Sequence, residues 1–257
     1  MRADEVFHEV VVATRRAFPP MPDQIVIDRD GILQVVTPSI TTGQLNEVVH
    51  ADLGDRDDAA IEAAIDAAIA QYRSRGLKFR WRVGPLETPA DLGARLERRG
   101  LTPSRMIGVA RSTATPIPLH HDPGIEIARV DAANIDTYSD AMAAGWGIDL
   151  GPLRDAHRTI VAERRWPQAM YLAVVDGVPA ATAAYVALAR SAYLVGGVVL
   201  PPYRRRGLYR ALVHTRLAHA RDAGLPLATS HAREDTSAPI LADLGFESVC
   251  RLAMYLG

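Results

Sequence analysis

The chain has 257 residues, of which 48% are hydrophobic and 23% are charged, and its formal net charge is −1. This near-neutral charge excludes non-specific nucleic-acid binding as the main task. No apolar run reaches the roughly 20 residues that a membrane span needs. The single cysteine, Cys250, excludes an intramolecular disulfide. We therefore expect a cytoplasmic protein without nucleic-acid or membrane partners, built as one large or two modest domains.

The first half of the sequence alternates short helices and strands. Asp30-Gly31 lies between two apolar runs and predicts a tight hairpin turn. Asp57 or Asp58 is a suitable helix N-cap, and Gly76 a suitable helix end. The predicted elements are a helix over 4–18, hairpin strands over 24–28 and 32–36, a helix over 57–75, a strand over 78–83, a helix over 89–99 and a strand over 104–112.

The second half begins after 113–123, a stretch with three prolines and no periodicity that predicts a linker. Its order of elements is mixed α/β, with hairpins in the middle and crossovers late. The predicted elements are a strand over 124–130, helices over 131–144 and 152–165, strands over 169–176, 178–189 and 191–200, a helix over 207–223, a strand over 226–231, a helix over 236–244 and a strand over 246–256.

The last elements of the second half have counterparts in the first half. A helix that ends at Gly224-Leu225 corresponds to one that ends at Gly76-Leu77, and each precedes a strand, a second helix and a final strand. The frame slips by three residues inside the second helix. The repetition indicates two related domains, although any two βαβ units share this order.

The segment 198–212, VVLPPYRRRGLYRAL, predicts an anion site between a strand and a helix. Amides in the first turn of a helix lack partners inside it, and the helix dipole favours an anion there. Gly207 lets the backbone approach the anion closely. Positive charge is added by four arginines, Arg204, Arg205, Arg206 and Arg210. The combination is typical of a diphosphate site, although a solvated basic helix start that binds nothing is the alternative.

This segment resembles the cofactor loop of the GCN5-related N-acetyltransferase (GNAT) family. The family's signature is Arg or Gln, two residues, Gly, one residue, and Gly or Ala. Here Arg204 and Gly207 match it, whereas Tyr209 stands where the family has a small residue. The strand and prolines before the loop, the helix after it and the Leu-Gly-Phe at 244–246 extend the resemblance over residues 124–257.

The resemblance implies a ligand and the groups that would hold it. It implies acetyl-CoA, or another acyl-CoA, as cosubstrate and no metal. Backbone groups of Val198, Val199 and Leu200 would contact the acyl group and the pantetheine arm. The pyrophosphate would lie on the backbone of Arg205, Arg206, Gly207, Leu208, Tyr209 and Arg210. The fold that it implies is two GNAT-like domains, each with a mixed, mostly antiparallel sheet flanked by helices.

The first half lacks this loop. The repeat offset places Arg56, Asp57, Asp58 and Ala59 where the arginines and the glycine stand in the second half. Carboxylates there would repel a diphosphate. The sequence therefore predicts a degenerate GNAT-like domain over 1–112, a linker over 113–123 and an acetyltransferase domain over 124–257, as in some tandem members of the family.

The chain lacks a proton donor at the position where the family often has one. The tyrosine that often protonates the leaving thiolate is replaced by Leu241. Candidates near the gap between strands 191–200 and 226–231 are His231, since an unperturbed imidazole suits proton transfer at neutral pH, and Ser237 and Tyr193. Each has a plain alternative, because His231 could be an exposed loop residue and Tyr193 a core residue. Ser230 and Tyr185 are weaker candidates.

Two functions remain open at this stage. One is direct transfer of an acyl group to a primary amine, with Trp146 and Asp149 in the loop between the first two helices of the second half as acceptor contacts. The amine could belong to a small molecule or a peptide, and the protein could be a homodimer. The other is a sensor or accessory module that holds acyl-CoA without turnover, which the missing tyrosine at 241 favours. Trp146 could equally be a packed loop anchor.

Overall fold

The structure, a computed structural model, describes residues 1–116, 124–149, 151–163 and 166–257. Most of the predicted linker, 117–123, lies outside these ranges. Its helices are α1 (Ala3–Val11), α2 (Asp58–Arg73), α3 (Leu92–Arg98), α4 (Ile135–Trp146), α5 (Gly151–Glu163), α6 (Leu208–Asp222) and α7 (Ser237–Asp243). Within the described ranges, none of these helices combines the length and the apolar character that crossing a membrane requires.

Runs of strands are separated by helices in a mixed α/β order, which confirms the predicted fold class. They are β1 (Ile25–Arg29), β2 (Ile32–Val36), β3 (Thr42–Ala51), β4 (Lys78–Val83), β5 (Thr102–Ser112), β6 (Ile125–Arg129), β7 (Gln168–Val175), β8 (Val178–Ala187), β9 (Ser191–Val199), β10 (Leu227–Arg233) and β11 (Glu247–Leu256). Short 3-10 turns cover Ala13–Arg16 and Pro201–Tyr203.

Two elements of the first half differ from the sequence prediction. The predicted helix over 4–18 is shorter, because α1 ends at Val11 and a 3-10 turn follows. Strand β3 was not predicted, since Gly43, Asn46 and His50 interrupt any apolar alternation. Asn46 is nevertheless fully buried, and its side chain accepts from the Thr37 amide and donates to the Ile40 carbonyl. Satisfying both ends of the side-chain amide allows a polar residue inside the strand.

The chain forms two compact units whose limits differ from the predicted domain limits. The larger unit comprises Met1–Pro19 and Gly108–Val249, and the smaller unit comprises Pro20–Ile107 and Cys250–Gly257. Helix α1 and the end of β5 therefore pack with the second half, and the end of β11 packs with the first. A sequence pattern identifies a strand but not its partner, so a single cut at 113–123 does not separate the units.

The smaller unit has the strand order β1-β2-β3-β4-β11. Strands β3 and β4 run parallel and are connected by α2, while β11 pairs antiparallel with β4 from Ala253 to Leu256. The core centres on Trp81, which is fully buried, and on the stacked rings of Tyr72 and Phe79, whose centroids lie 4.7 Å apart. Burial of these aromatic side chains stabilises the unit.

The larger unit has the strand order β5-β10-β9-β8-β7-β6. Strands β6 to β9 pair antiparallel in sequence, and β10 pairs parallel with β9 after the crossover through α6. The β9-α6-β10 unit matches β3-α2-β4 in connectivity and in parallel pairing, which supports the predicted repeat. Because β9 ends where α6 begins, this crossover brings the predicted cofactor loop to one end of the sheet.

Candidate active site

Strands β9 and β10 separate within the larger unit. Their parallel ladder covers only Leu227–Thr229 against Ser191–Tyr193, although β9 continues to Val199 and β10 to Arg233. Just past the last pair, the Ser230 hydroxyl donates to the Leu194 carbonyl at 3.0 Å. Beyond this bridge the facing edge of β9 is not paired with β10. An extended ligand can therefore bind between the two strands through main-chain groups.

A bulge bends β9 at the start of this gap. Thr182 pairs with Val198 and Ala184 with Val195, so that Gly196 and Gly197 together oppose one residue of β8. Gly196 has φ 63, a left-handed conformation that glycine adopts without steric cost. Bulges of this kind re-aim backbone groups and are common beside active sites.

The loop after β9 gathers backbone amides at the head of α6. Gly207 is the N-cap with φ 83, Arg205 has φ 64, and no side chain caps the helix. A non-glycine residue in the left-handed region is uncommon and typical of a functional turn. Arg204, Arg205 and Arg206 are exposed. Uncapped amides, the helix dipole and these cations make the loop receptive to an anion.

Some of the groups predicted to hold the cofactor are engaged within the protein. The Leu200 amide donates to the Ala180 carbonyl at 2.9 Å, and the Val199 carbonyl accepts from Arg204 Nε at 3.3 Å. Leu208 is 1% exposed, so that only its backbone faces the loop. Arg210 forms an ion pair with Asp243 at 2.6 Å. The positive charge of the loop therefore comes from Arg204 to Arg206.

Tyr209 lies against the bulge of β9. A Cβ atom at Gly197 would lie 3.0 Å from Tyr209 Cε2, so the missing side chain of Gly197 provides the space for the ring. The Tyr209 hydroxyl is within hydrogen-bonding reach of Arg216 and Ser237, and burial raises its pKa. The tyrosine in place of a small residue is thus accommodated by a glycine across from it.

His231 and Tyr193 form a hydrogen-bonded pair. His231 Nε2 lies 2.9 Å from the Val10 carbonyl oxygen, which can only accept, so Nε2 must carry a hydrogen. In the neutral ring Nδ1 then accepts, and it lies 3.1 Å from the Tyr193 hydroxyl. The bond to Val10 thereby fixes the neutral histidine tautomer whose Nδ1 accepts a hydrogen bond from the Tyr193 hydroxyl. The structure brings together these two predicted residues.

Ser237 and Leu241 lie on α7. Ser237 is the first residue of the helix, and its hydroxyl accepts from the Arg233 amide at 2.9 Å. Leu241 is fully buried. The position where the family often has an acidic tyrosine thus belongs to the core, whereas Ser237 lies at the loop that leaves β10.

The two predicted acceptor contacts lie at the turn between α4 and α5. Trp146, the last residue of α4, is 38% exposed, and Asp149 accepts from the Gly151 amide at 3.1 Å. The neighbouring residue Gly145 packs on Val198, because a Cβ there would lie 2.8 Å from Val198 Cγ1. The end of α4 therefore lies beside the strand that would hold the acyl group.

Two buried charged residues that the sequence pattern did not indicate also organise this region. Arg216 on α6 is 2% exposed and donates to carbonyl groups of Leu212 and Ala184. On α1, Glu9 is 3% exposed and its carboxylate accepts from the Ser191 hydroxyl at 2.6 Å. A charged residue on the apolar face of a helical pattern was the available signal for Arg216. Sequence gave no signal for α1, since it is distant in the chain.

A cavity of about 1020 Å³ in the larger unit contains none of the predicted site residues. It lies along the first turns of α1, the end of β5 and the start of β11, with Phe7, Arg111 and Ser248 in its wall. We therefore place the candidate site at the open end of β9, on the geometry of the backbone there.

The corresponding turn of the smaller unit is closed by its own side chains. Asp57 caps α2 by accepting from the Ala60 amide at 2.8 Å, and Asp58 pairs with Arg95 at 2.8 Å. A first-turn amide of α2 thus has an internal partner, whereas no side chain caps the head of α6. Two carboxylates also make the turn unfavourable for a diphosphate.

Comparison with known proteins identifies this architecture. Over 99% of this chain and 94% of the other, the fold matches a GCN5-related N-acetyltransferase from Kribbella flavida with a TM-score of 0.70 at 18% identity. A conserved protein from Staphylococcus epidermidis matches over 96% of this chain and 98% of the other, with a TM-score of 0.71 at 12% identity. A tandem GNAT protein from the clavulanic acid biosynthesis pathway matches over 100% of this chain and 96% of the other, with a TM-score of 0.61 at 14% identity. The fold is therefore that of tandem GNAT proteins.

The match to a sequence family lies in the second half. Residues 134–246 match the acetyltransferase (GNAT) family, which confirms the predicted resemblance over this range. No curated protein matches the sequence. The matched range contains β9, the cofactor loop, α6 and β10.

Proposed function

We propose that the larger unit binds acetyl-CoA and transfers the acetyl group directly to a primary amine in a ternary complex. The observation that carries this proposal is the junction of β9 and α6. There an interrupted ladder leaves the strand open to an extended ligand, directly before a helix start that is uncapped and flanked by three exposed arginines. A pantetheine arm ending in a diphosphate has the matching chemistry.

The cosubstrate would lie along the gap in a defined direction. The diphosphate would occupy the amides from Arg205 to Arg210, and the pantetheine amides would run along Val198 towards the bulge. Placing the thioester carbonyl at the bulge would let a re-aimed amide polarise it. No metal is required, since the nucleophile is a neutral amine that attacks an activated thioester.

Tyr193 and His231 supply a route for the proton of the attacking amine. As the carbon–nitrogen bond forms, the amine gives a proton to the Tyr193 oxygen while that hydroxyl gives its own proton to His231 Nδ1. The Val10 carbonyl, which accepts from Nε2, stabilises the resulting imidazolium. Ser237 can donate a hydrogen bond on the other side of the gap.

Trp146 and Asp149 are the proposed acceptor contacts. An exposed indole and a carboxylate beside the acyl-bearing strand suit a cationic amine, from a small molecule or a peptide. The smaller unit is proposed not to bind acetyl-CoA, because Asp57 and Asp58 occupy the corresponding turn.

A second candidate is an acyl-CoA-binding module without turnover. The fully buried Leu241 favours it, because the proton donor that the family often uses is replaced by a core residue.

Calorimetric titration with acetyl-CoA, followed by detection of released CoA thiol with a panel of primary amines, separates these functions. Saturable binding with turnover on at least one amine is expected. Saturable binding without turnover on any amine would favour the module. Absence of both heat and a thermal shift, or a ligand located in the smaller unit, would refute the proposed site.

A further inference from the structure

Arg216 is a buried cation that has no carboxylate partner among the residues that the structure describes. It is 2% exposed, its guanidinium donates to carbonyl oxygens, and the Tyr209 hydroxyl lies within its hydrogen-bonding reach. Burying such a charge away from water is unfavourable. A buried cation therefore stabilises the anionic form of a neighbouring group that can lose a proton. Tyr209 is a neighbour of this kind.

The position of Arg216 couples it to the bulge of β9. Its Nη1 donates to the Ala184 carbonyl at 3.0 Å and lies 3.5 Å from the Val195 carbonyl, and these two residues pair across the strands next to the bulge. One guanidinium therefore supports the strand at the point where the thioester would lie and contacts the hydroxyl of Tyr209.

Tyr209 lies between the two sides of the gap. Its ring packs against Gly197 on β9, and its hydroxyl reaches Ser237, which follows β10. Two other tyrosines near Arg216 do not bridge in this way. Tyr138 is 1% exposed on α4, and Tyr171 is fully buried with its hydroxyl 2.9 Å from His219 Nδ1.

We propose that Tyr209 is the proton donor to the departing CoA thiolate, with Arg216 as its positioning residue and Ser237 as a second hydrogen-bond donor to it. This inference rests on the proposed acetyl transfer. When the carbon–sulfur bond breaks, its electron pair goes to sulfur, which takes the hydroxyl proton of Tyr209. Arg216 and Ser237 stabilise the resulting tyrosinate, which regains a proton from solvent. Tyr209 thereby supplies the proton that the family often takes from the tyrosine that Leu241 replaces here.

Tyr209→Phe tests this role, with Tyr138→Phe as the matched control because it removes a hydroxyl from a buried tyrosine of α4 in the same unit. Acetyl-CoA affinity is measured by calorimetry, and CoA release is measured from pH 6 to 10 with the amine panel. Loss of a general acid lowers a rate by about 100-fold or more. We expect that loss for Tyr209→Phe, with affinity within about twofold of the unsubstituted protein.

A second variant moves the ring without removing the hydroxyl. Gly197→Ala adds a methyl group 3.0 Å from Tyr209 Cε2 and is expected to lower CoA release while acetyl-CoA still binds. Full turnover of Tyr209→Phe with an unchanged pH profile would overturn the inference and leave acetyl transfer standing. Loss of acetyl-CoA affinity in Tyr209→Phe would also overturn it, by assigning the residue to binding. An unsubstituted protein that binds acetyl-CoA without turnover would instead refute the transfer reaction itself.

Discussion

At the scale of single residues, two left-handed positions shape the head of α6. Gly207 and Arg205 have φ 83 and φ 64, and left-handed residues of this kind occur in the backbone turns that bind anions. Gly207 has open space around the position of a Cβ, so its conformation, and not crowding, restricts its replacement. Asparagine and aspartate tolerate this conformation better than other residues with a side chain.

Gly207→Asp and Gly207→Asn form a matched pair for the anion site. The two side chains have nearly the same shape, but aspartate places a negative charge where the diphosphate is proposed to lie. We expect Gly207→Asp to weaken acetyl-CoA binding by at least about 10-fold relative to Gly207→Asn. Both proteins should melt at similar temperatures, because either side chain can cap a helix. Equal affinities in calorimetry would contradict the proposed location.

At the scale of elements, α4 approaches β9 through a glycine. Gly145 leaves room for Val198, whose Cγ1 would lie 2.8 Å from an added Cβ. Helix α5 packs on α4, with the His157 ring 5.6 Å from the ring of Tyr138 in an edge-on arrangement. These contacts fix the helix pair that precedes the sheet, and therefore the turn that carries Trp146.

Gly145→Ala is expected to displace β9. Overpacking of this kind destabilises a protein by about 1–3 kcal/mol, and the shift of Val198 should also weaken acetyl-CoA binding. The double variant Gly145→Ala/Val198→Ala removes the clashing methyl groups and should recover part of both losses. Urea denaturation and calorimetry measure the two effects. Additive losses in the double variant would show that the two residues do not interact.

His157 makes the stability of the protein sensitive to acid. It is 3% exposed, and burial lowers its pKa from 6.5 to about 4. Between these pH values the unfolded chain binds a proton that the folded chain does not, so the free energy of unfolding falls as the pH is lowered. The loss is about 3 kcal/mol in total. His157→Leu should remove this contribution. Denaturation curves at pH 7 and pH 4.5 that differ equally in both proteins would contradict it.

At the scale of the whole molecule, each compact unit draws residues from both ends of the chain. Met1–Pro19 completes the larger unit, where α1 supplies the Val10 carbonyl to His231, and Cys250–Gly257 completes the smaller unit through the pairing of β11 with β4. The end of β5 joins the larger unit, and the Thr113 amide donates to the Pro226 carbonyl beside β10. Neither half of the sequence therefore contains all the residues of one compact unit.

A fragment of residues 124–257 is expected not to fold on its own. It lacks α1 and β5, which leaves the edge of β10 unpaired, and its last strand lacks β4. Circular dichroism should show no cooperative thermal transition for the fragment, in contrast to the full chain. A fragment that melts cooperatively near the temperature of the full chain would show that the residues from the first half are dispensable.

The sequence by itself determined most of the elements of this protein and predicted an anion site at the head of α6. Asp30-Gly31, the N-cap Asp57 and the arginines before Gly207 act within a few residues of chain, so local rules predicted them. The tertiary structure alone decided that the end of β5 packs in the larger unit and the end of β11 in the smaller unit. It also decided the burial of β3, the contact of Val10 with His231, and the positions of Arg216 and Gly197 beside Tyr209. Strand pairing and side-chain contacts between distant residues depend on packing in three dimensions, which a linear pattern does not specify.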